Sequence, residues 1–254
     1  MNLLEELTGK NALVTGASRK LGATICLALA RYGVNVAVNF NRSASEAEKL
    51  IVRLEAAGSR AVALQADLRD VQQANGLVDA AWERLGPIDI LINNLGTYDD
   101  RPFLDMPPEV LEEIMATNVG ATHLLTRTAG SRMKKRGSGC IVNLAAADAF
   151  HRSHSVYGLA KMGVLYLTEA MALELAPEVR INAVAPDLMA DNEDLDPSSE
   201  FARRSVAATP LGRLVRREEV ARMICLLCTS AFGFVTGQSI GMDGGRSIPR
   251  IVFV

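Results

Sequence analysis

The 254-residue chain lacks any apolar run of membrane-spanning length. The run Ile25-Cys26-Leu27-Ala28-Leu29-Ala30 stops far short of the ~20 residues a membrane helix needs. It also lacks a basic footprint for nucleic acid, since 27 Lys and Arg meet 29 Asp and Glu for a formal net charge of −2. The start carries Glu5 and Glu6 and no basic stretch followed by an apolar core, so no secretory signal is expected. No internal repeat, low-complexity tract or Pro/Gly-rich linker divides the chain. Cysteine is scarce, and all four (Cys26, Cys140, Cys225 and Cys228) lie in apolar surroundings. Cys225 and Cys228 have C-x-x-C spacing but sit inside a helical pattern, with no second pair or histidine cluster. They read as buried thiols, and no metal site is expected. The expected compartment is a reducing cytoplasm.

What is present is ordinary for a soluble globular domain: 49% hydrophobic and 22% charged residues. Asn11-Ala12-Leu13-Val14 is a short apolar run broken by Thr15-Gly16, which predicts a buried strand ending in a turn. A helical pattern follows from Leu21 to a stop at Gly33, then a strand over residues 34–40. Further apolar runs at residues 61–66, 88–92, 140–144 and 179–185 alternate with helical stretches. That alternation predicts βαβ units and a parallel sheet, one doubly wound α/β domain over residues 1–254. Residues 187–208, with six acids and Pro197, are expected to be irregular and to form a lid or substrate loop.

Three places carry chemistry. Gly16-Ala17-Ser18-Arg19-Lys20-Leu21-Gly22 follows the first strand and opens the first helix, where glycines allow close approach of a pyrophosphate to a helix N-terminus. At the end of the second strand an acid would hold a ribose 2′-hydroxyl. Instead Asn41-Arg42-Ser43 stands there, which with Arg19 or Lys20 suits a 2′-phosphate and predicts NADP(H). Further on, Tyr157 and Lys161 lie one helical turn apart on one face. A free phenol has a pKa of about 10, and a fixed cation nearby favours its ionised form, so the expectation is a lowered Tyr157 pKa and a role in proton transfer.

These segments, in this order, resemble the short-chain dehydrogenase/reductase family across nearly the whole chain. Thr15 to Gly22 looks like its T-G-x-x-x-G-x-G turn, with Lys20 for the middle glycine. Asp67-Leu68 looks like its adenine-holding pair, and Asn93-Asn94-Leu95-Gly96 like its N-N-A-G. Asn118 falls where the family has a catalytic asparagine, Tyr157 and Lys161 are its Y-x-x-x-K, and residues 235–238 and 243–245 match its C-terminal signature. The resemblance implies a Rossmann-type domain with a mostly parallel seven-stranded sheet flanked by helices. It implies a hydride passed to a carbonyl carbon while Tyr157 gives the oxygen a proton. Lys161 would hold the nicotinamide ribose and Asn118 a proton-relaying water, with Asn94, Gly96, Pro186 and Met189 also along the cofactor. It further implies a homodimer or homotetramer, to which the tail from Ile248 to Val254 would contribute.

Two departures stand out. Where the family has a serine, about thirteen residues before the tyrosine, this chain has Ala146, and Asp148, Ser153 or Ser155 are the candidates to replace it. Pro186-Asp187 stands for the family's Pro-Gly. Lys20, Asn41-Arg42-Ser43 and Asp243-Gly244-Gly245-Arg246-Ser247 are similar to pteridine reductases, a subgroup that often uses an aspartate in place of the serine; Tyr98 or Phe150 would then stack on a flat heterocycle. Three functions follow: NADPH-dependent reduction of a small ketone or 3-oxoacyl thioester, reduction of a pterin-like C=N bond, or nucleotide binding with little catalysis.

Overall fold

The apolar run after Lys10 forms strand β1 (Asn11–Val14), near the middle of the sheet in a computed structural model that describes residues 3–151 and 155–248. Strands and helices then alternate: α1 (Lys20–Arg31), β2 (Asn35–Phe40), α2 (Ala44–Ala56), β3 (Ala61–Gln65), α3 (Val71–Leu85) and β4 (Ile90–Asn93). The second half adds α4 (Pro108–Met115), α5 (Ala121–Arg136), β5 (Gly139–Leu144) and the single turn α6 (Asp148–His151). It closes with α7 (Val156–Leu175), β6 (Val179–Pro186), α8 (Glu200–Ala208), α9 (Arg217–Leu227) and β7 (Ser239–Met242). Among the described residues the seven strands form one sheet, ordered β3-β2-β1-β4-β5-β6-β7, with every pairing parallel.

The strands read as unbroken apolar runs because both faces are covered. Val14, Val38, Ile92 and Val142 pack on one face against Ile25 and Leu29 of α1, Leu54 of α2 and Val220 and Ile224 of α9. Their neighbours Leu13, Ala37, Leu91 and Ile141 point the other way, onto Leu77 of α3, Leu125 and Met133 of α5 and Leu175 of α7. Each strand therefore pins helices on both sides.

Strand order reverses between β1 and β4, which opens a crevice past their carboxyl ends, the place where such sheets bind ligands. Buried amides hold those ends. Asn93 Nδ2 donates to Thr126 Oγ1 (3.0 Å) and to Asn143 Oδ1 (2.8 Å), and Asn143 Nδ2 donates to Thr168 Oγ1 (2.9 Å). This links β4 and β5 to α5 and α7 directly below the crevice.

One expectation changes. Residues 187–208 are irregular only in their first half. Ser199 caps α8 by accepting from the Ala202 amide at 3.1 Å, and the helix runs to Ala208. The strand β7 was foreseen only through the resemblance, because a four-residue run containing Ser239 and Gly241 carries little apolar signal. Ser153 and residues 249–254 lie outside the described residues, so their expected roles gain no structural account. The four cysteines are free and buried as expected. Among the described residues no helix is long and apolar enough to cross a membrane, and no cluster of His, Cys, Asp and Glu is arranged to hold a metal ion.

Candidate active site

Thr15 directly follows β1 and organises the crevice. Its amide donates to the Ile92 carbonyl (3.0 Å), and its hydroxyl oxygen accepts from the Asn94 and Leu95 amides, both at 3.0 Å. Asn94 Nδ2 returns hydrogen bonds to the carbonyls of Thr15 (2.9 Å) and Gly16 (3.1 Å). Asn39, a polar residue in an otherwise apolar strand, takes the Gly16 amide on its Oδ1 at 3.2 Å. The turn is thus fixed by side chains that the glycine pattern does not include.

Gly22 is required by packing: a Cβ there would stand 2.6 Å from the Gly16 carbonyl oxygen and 2.7 Å from the Ala17 Cα. Lys20, the first residue of α1, takes a left-handed φ of 50°. That conformation costs a side-chain-bearing residue roughly 1–2 kcal/mol and suits the glycine that related turns carry. Arg19 at the N-cap makes no side-chain capping bond, so it leaves the first amides of α1 uncapped from that position.

A cleft of ≈ 700 Å³ runs over this turn. Ser18, Arg19, Lys20, Leu21 and Gly22 line one side, and Asn41, Arg42 and Ser43 one end. Asn94, Gly96, Met189 and Tyr157 are also in its lining. Asp67 and Leu68 instead border an adjoining recess of ≈ 170 Å³ with Gly16, Asn41 and Arg42. Arg69 holds the Asp67 carboxylate at 2.6 Å and keeps its pKa down at about 2. Pro186 lies behind the cleft, buried at the end of β6, where its carbonyl accepts from the Ala147 amide at 2.9 Å.

The Tyr157–Lys161 pair sits where α7 passes the carboxyl ends of β4 and β5. Ser155 starts the helix by accepting from the Gly158 amide at 3.1 Å, which engages this candidate replacement hydroxyl in capping. Lys161 is 3% exposed; its Nζ donates to the Leu144 carbonyl at 2.9 Å and lies 5.5 Å from the centre of the Tyr157 ring. Desolvation pulls its pKa down to about 8, against the opposing pull of Asp148. The Tyr157 phenol is pushed well above the usual range, first by burial and then by the charge of Asp148 and by Tyr98. The expected lowering by Lys161 is not what dominates, because the ammonium is itself desolvated and its hydrogen bond goes to a backbone carbonyl. Tyr98 packs edge-on against Tyr157, ring centres 4.9 Å apart.

Asn118 lies in a π-helical turn, Ala116–Gly120, between α4 and α5. Such bulges are frequent at functional sites. Its Nδ2 donates to the carbonyls of Thr97 and Ile114, both at 3.0 Å, while its fully buried Oδ1 has no partner among the described residues. A Cβ on Gly96 would come within 2.5 Å of that oxygen and 3.1 Å of Lys161 Nζ. An orphaned acceptor and an ammonium therefore converge on one glycine at the cleft wall. A nicotinamide nucleotide fits these groups: amides and cations at its phosphate end, and donor and acceptor atoms at its reactive end.

A model of the enoyl-(acyl carrier protein) reductase family matches residues 16–247. The chain is 34% identical to a 3-oxoacyl-[acyl-carrier-protein] reductase of Synechocystis sp. over 247 residues, 94% of this chain and 97% of that one. It is 33% identical to an L-rhamnose 1-dehydrogenase (NAD(P)(+)) of Sphingomonas sp. over 256 residues, 98% of this chain and 99% of the other. The chain belongs to the short-chain dehydrogenase/reductase family. It is thereby an oxidoreductase of a family that binds nicotinamide cofactors. A blue fluorescent protein from a metagenomic library, solved with NADPH, superposes with a TM-score of 0.88 at 31% identity, covering 94% of this chain and 98% of that one.

Against the family pattern, Ala146 is buried and offers no donor, and Asp148 begins α6 beside the same strand end. Asp187 is compensated: Arg246, from the turn after β7, meets its carboxylate at 3.1 Å. Sequence reading missed a strap of acids from residues 187–199 onto the turn. Asp194 binds Lys20 Nζ at 2.8 Å, Glu193 holds the Arg217 guanidinium through two bonds of 2.7 and 2.9 Å, and Asp191 accepts from the Arg217 amide at 3.2 Å. Arg217 keeps the Glu193 pKa down at about 2. No sequence signal joins residues 174 positions apart, as Lys20 and Asp194 are.

Proposed function

We propose that the protein is an NADP(H)-dependent reductase in which Tyr157 gives a proton to a substrate carbonyl oxygen, acting on a small ketone or 3-oxoacyl compound. The observation that carries this reading is the convergence of Tyr157, Lys161 and the unpartnered Asn118 Oδ1 beside Gly96 at the wall of the cleft. When bound, the cofactor supplies a hydride to the substrate carbon or takes one from it. Tyr157 holds the transferable proton. Burial keeps the phenol protonated at neutral pH, the form that donates, and this supports the reducing direction. The Lys161 ammonium favours the phenolate left behind, and Asn118 Oδ1 accepts from a water that returns the proton.

Arg42 is exposed just past β2, and the residues that follow the strand, Asn41, Arg42 and Ser43, include no acid to take a ribose hydroxyl. With Arg19 it supports a 2′-phosphate and hence NADP(H) over NAD(H). Lys20 is shared with Asp194 and contributes less. Burial of all four thiols is consistent with a reducing cytoplasm. On α7, Leu159, Met162, Tyr166 and Leu173 are exposed, Tyr166 by 74% and Leu173 by 84%. That stripe supports a dimer or tetramer, and light scattering at a monomer mass would reject it.

The burial of Ala146, with no hydroxyl in its place, favours a second reading, nucleotide binding with little catalysis. Loss of an oxyanion donor typically costs about 10²–10³ in rate. NADPH oxidation with a panel of small ketones, a 3-oxoacyl thioester and a dihydropterin separates the readings. Turnover of a ketone or thioester supports the first. Turnover of the dihydropterin alone moves the activity to C=N reduction, and tight NADPH binding without turnover favours the second reading.

A further inference from the structure

Beside the cofactor cleft, and sharing Tyr98, Asn192 and Asp194 with it, lies a second cleft of ≈ 670 Å³, within the range of small-molecule sites. Tyr98, Leu188, Leu195 and Phe201 give it apolar walls. Among the described residues its charged lining is lopsided: the carboxylates of Asp148, Asp187, Asp194 and Asp196 against the guanidinium of Arg246. Three of these acids are engaged. Arg246 takes Asp187 (3.1 Å), Lys20 takes Asp194 (2.8 Å), and the Ser198 amide and hydroxyl take Asp196 (2.8 and 2.7 Å).

Asp148 differs. No hydrogen bond or ion pair holds its carboxylate among the described residues. It shares the cleft with Tyr98, whose ring packs edge-on against Tyr157 with centres 4.9 Å apart, and its charge raises the pKa of both phenols. Ala146, two residues before it, leaves no hydroxyl in front of it. An ionised carboxylate only accepts hydrogen bonds, so the substrate group that meets it must donate one. An anionic substrate would meet like charge, and among the described residues the one cation lining the cleft, Arg246, is already paired with Asp187.

We propose that this cleft selects a small, uncharged or cationic substrate carrying a hydroxyl or amine next to its reacting carbon, with Asp148 accepting the hydrogen bond from that group, and that it disfavours anionic substrates. This rests on the reading of Tyr157, which lines the adjoining cofactor cleft, as the proton-transfer group. It sets Asp148 as a specificity-determining residue, and it sets a phosphate-bearing thioester carrier below a polyol or amino alcohol.

The test uses four probes that differ at one position: cyclohexanol, trans-cyclohexane-1,2-diol, trans-2-aminocyclohexanol and 2-hydroxycyclohexanecarboxylate. Their oxidation with NADP⁺ is expected to rank amine, diol, cyclohexanol, carboxylate in falling kcat/KM. The amine-to-carboxylate ratio should be about tenfold or more, and should fall by about tenfold in Asp148→Asn, the neutral isostere. A carboxylate used as well as the amine, or a ratio that Asp148→Asn leaves unmoved, overturns the proposal. If none of the four is oxidised, calorimetry of the same probes on NADP⁺-loaded Tyr157→Phe decides. Binding in the predicted order upholds the inference while the proposed reaction falls; equal binding, reversed order or no binding of the amine overturns the inference itself.

Discussion

Lys161 Nζ lies 5.5 Å from the centre of the Tyr157 ring and spends its 2.9 Å hydrogen bond on the Leu144 carbonyl. The lysine is therefore braced from the end of β5 and held under the tyrosine. Both groups are moved towards their neutral forms, the ammonium by desolvation and the phenol by burial with Asp148 beside it. In the proposed reaction, the neutral phenol beside a lysine whose pKa is about 8 would give up a proton and be refilled.

Gly96 is the contact point of Asn118 and Lys161. Gly96→Ala would place a methyl 2.5 Å from Asn118 Oδ1 and 3.1 Å from Lys161 Nζ, displacing both. Turnover should fall by about 10²-fold, the effect of a misplacement near 1 Å, while the thermal midpoint moves little. Steady-state kinetics beside a melting curve checks this, and retained turnover would remove Gly96 from the site.

Lys161 also gives stability a pH dependence. Its folded pKa of about 8 lies below the 10.5 of the unfolded chain, so between these values the unfolded state holds more protons. Its contribution is fully present above about 10.5 and is lost as pH falls through about 8, with a span on the order of 3 kcal/mol at most. Urea midpoints should rise from pH 8 to pH 10 more steeply in the wild type than in Lys161→Met. Parallel profiles would contradict the buried ammonium.

Arg42→Ala should weaken NADPH by about tenfold or more and NADH by much less, because a lost charge-assisted hydrogen bond to phosphate is felt by the phosphorylated ribose alone. Asp194→Asn should act in the opposite sense, freeing Lys20 for the cofactor and tightening NADPH. Fluorescence titration with both nucleotides measures each. Equal loss of NADPH and NADH in Arg42→Ala would sink the 2′-phosphate assignment.

The sheet was legible because its information is local. β1 ends at Thr15-Gly16, β2 runs through Val38, and each apolar run alternates with a helix of fixed period. Tyr157 and Lys161 were legible for the same reason, being four residues apart on one helix. What escaped was everything set by distant parts of the chain. The Lys20–Asp194 and Asp187–Arg246 pairs join segments that only the folded sheet brings together. The direction of the Tyr157 shift depends on burial and on where α6 places Asp148, and neither follows from spacing. The helix α8 was hidden by the acids around it, although Ser199 before Glu200 is an ordinary start signal.

The central claim is that Tyr157 carries the proton of a nicotinamide-linked reaction. Its most direct measurement is NADPH-dependent turnover of wild type and Tyr157→Phe on the best compound from the panel, beside the NADPH dissociation constant of each. The account predicts a fall in kcat of about 10²–10⁴ with binding changed by less than about threefold. Turnover retained in Tyr157→Phe would contradict it.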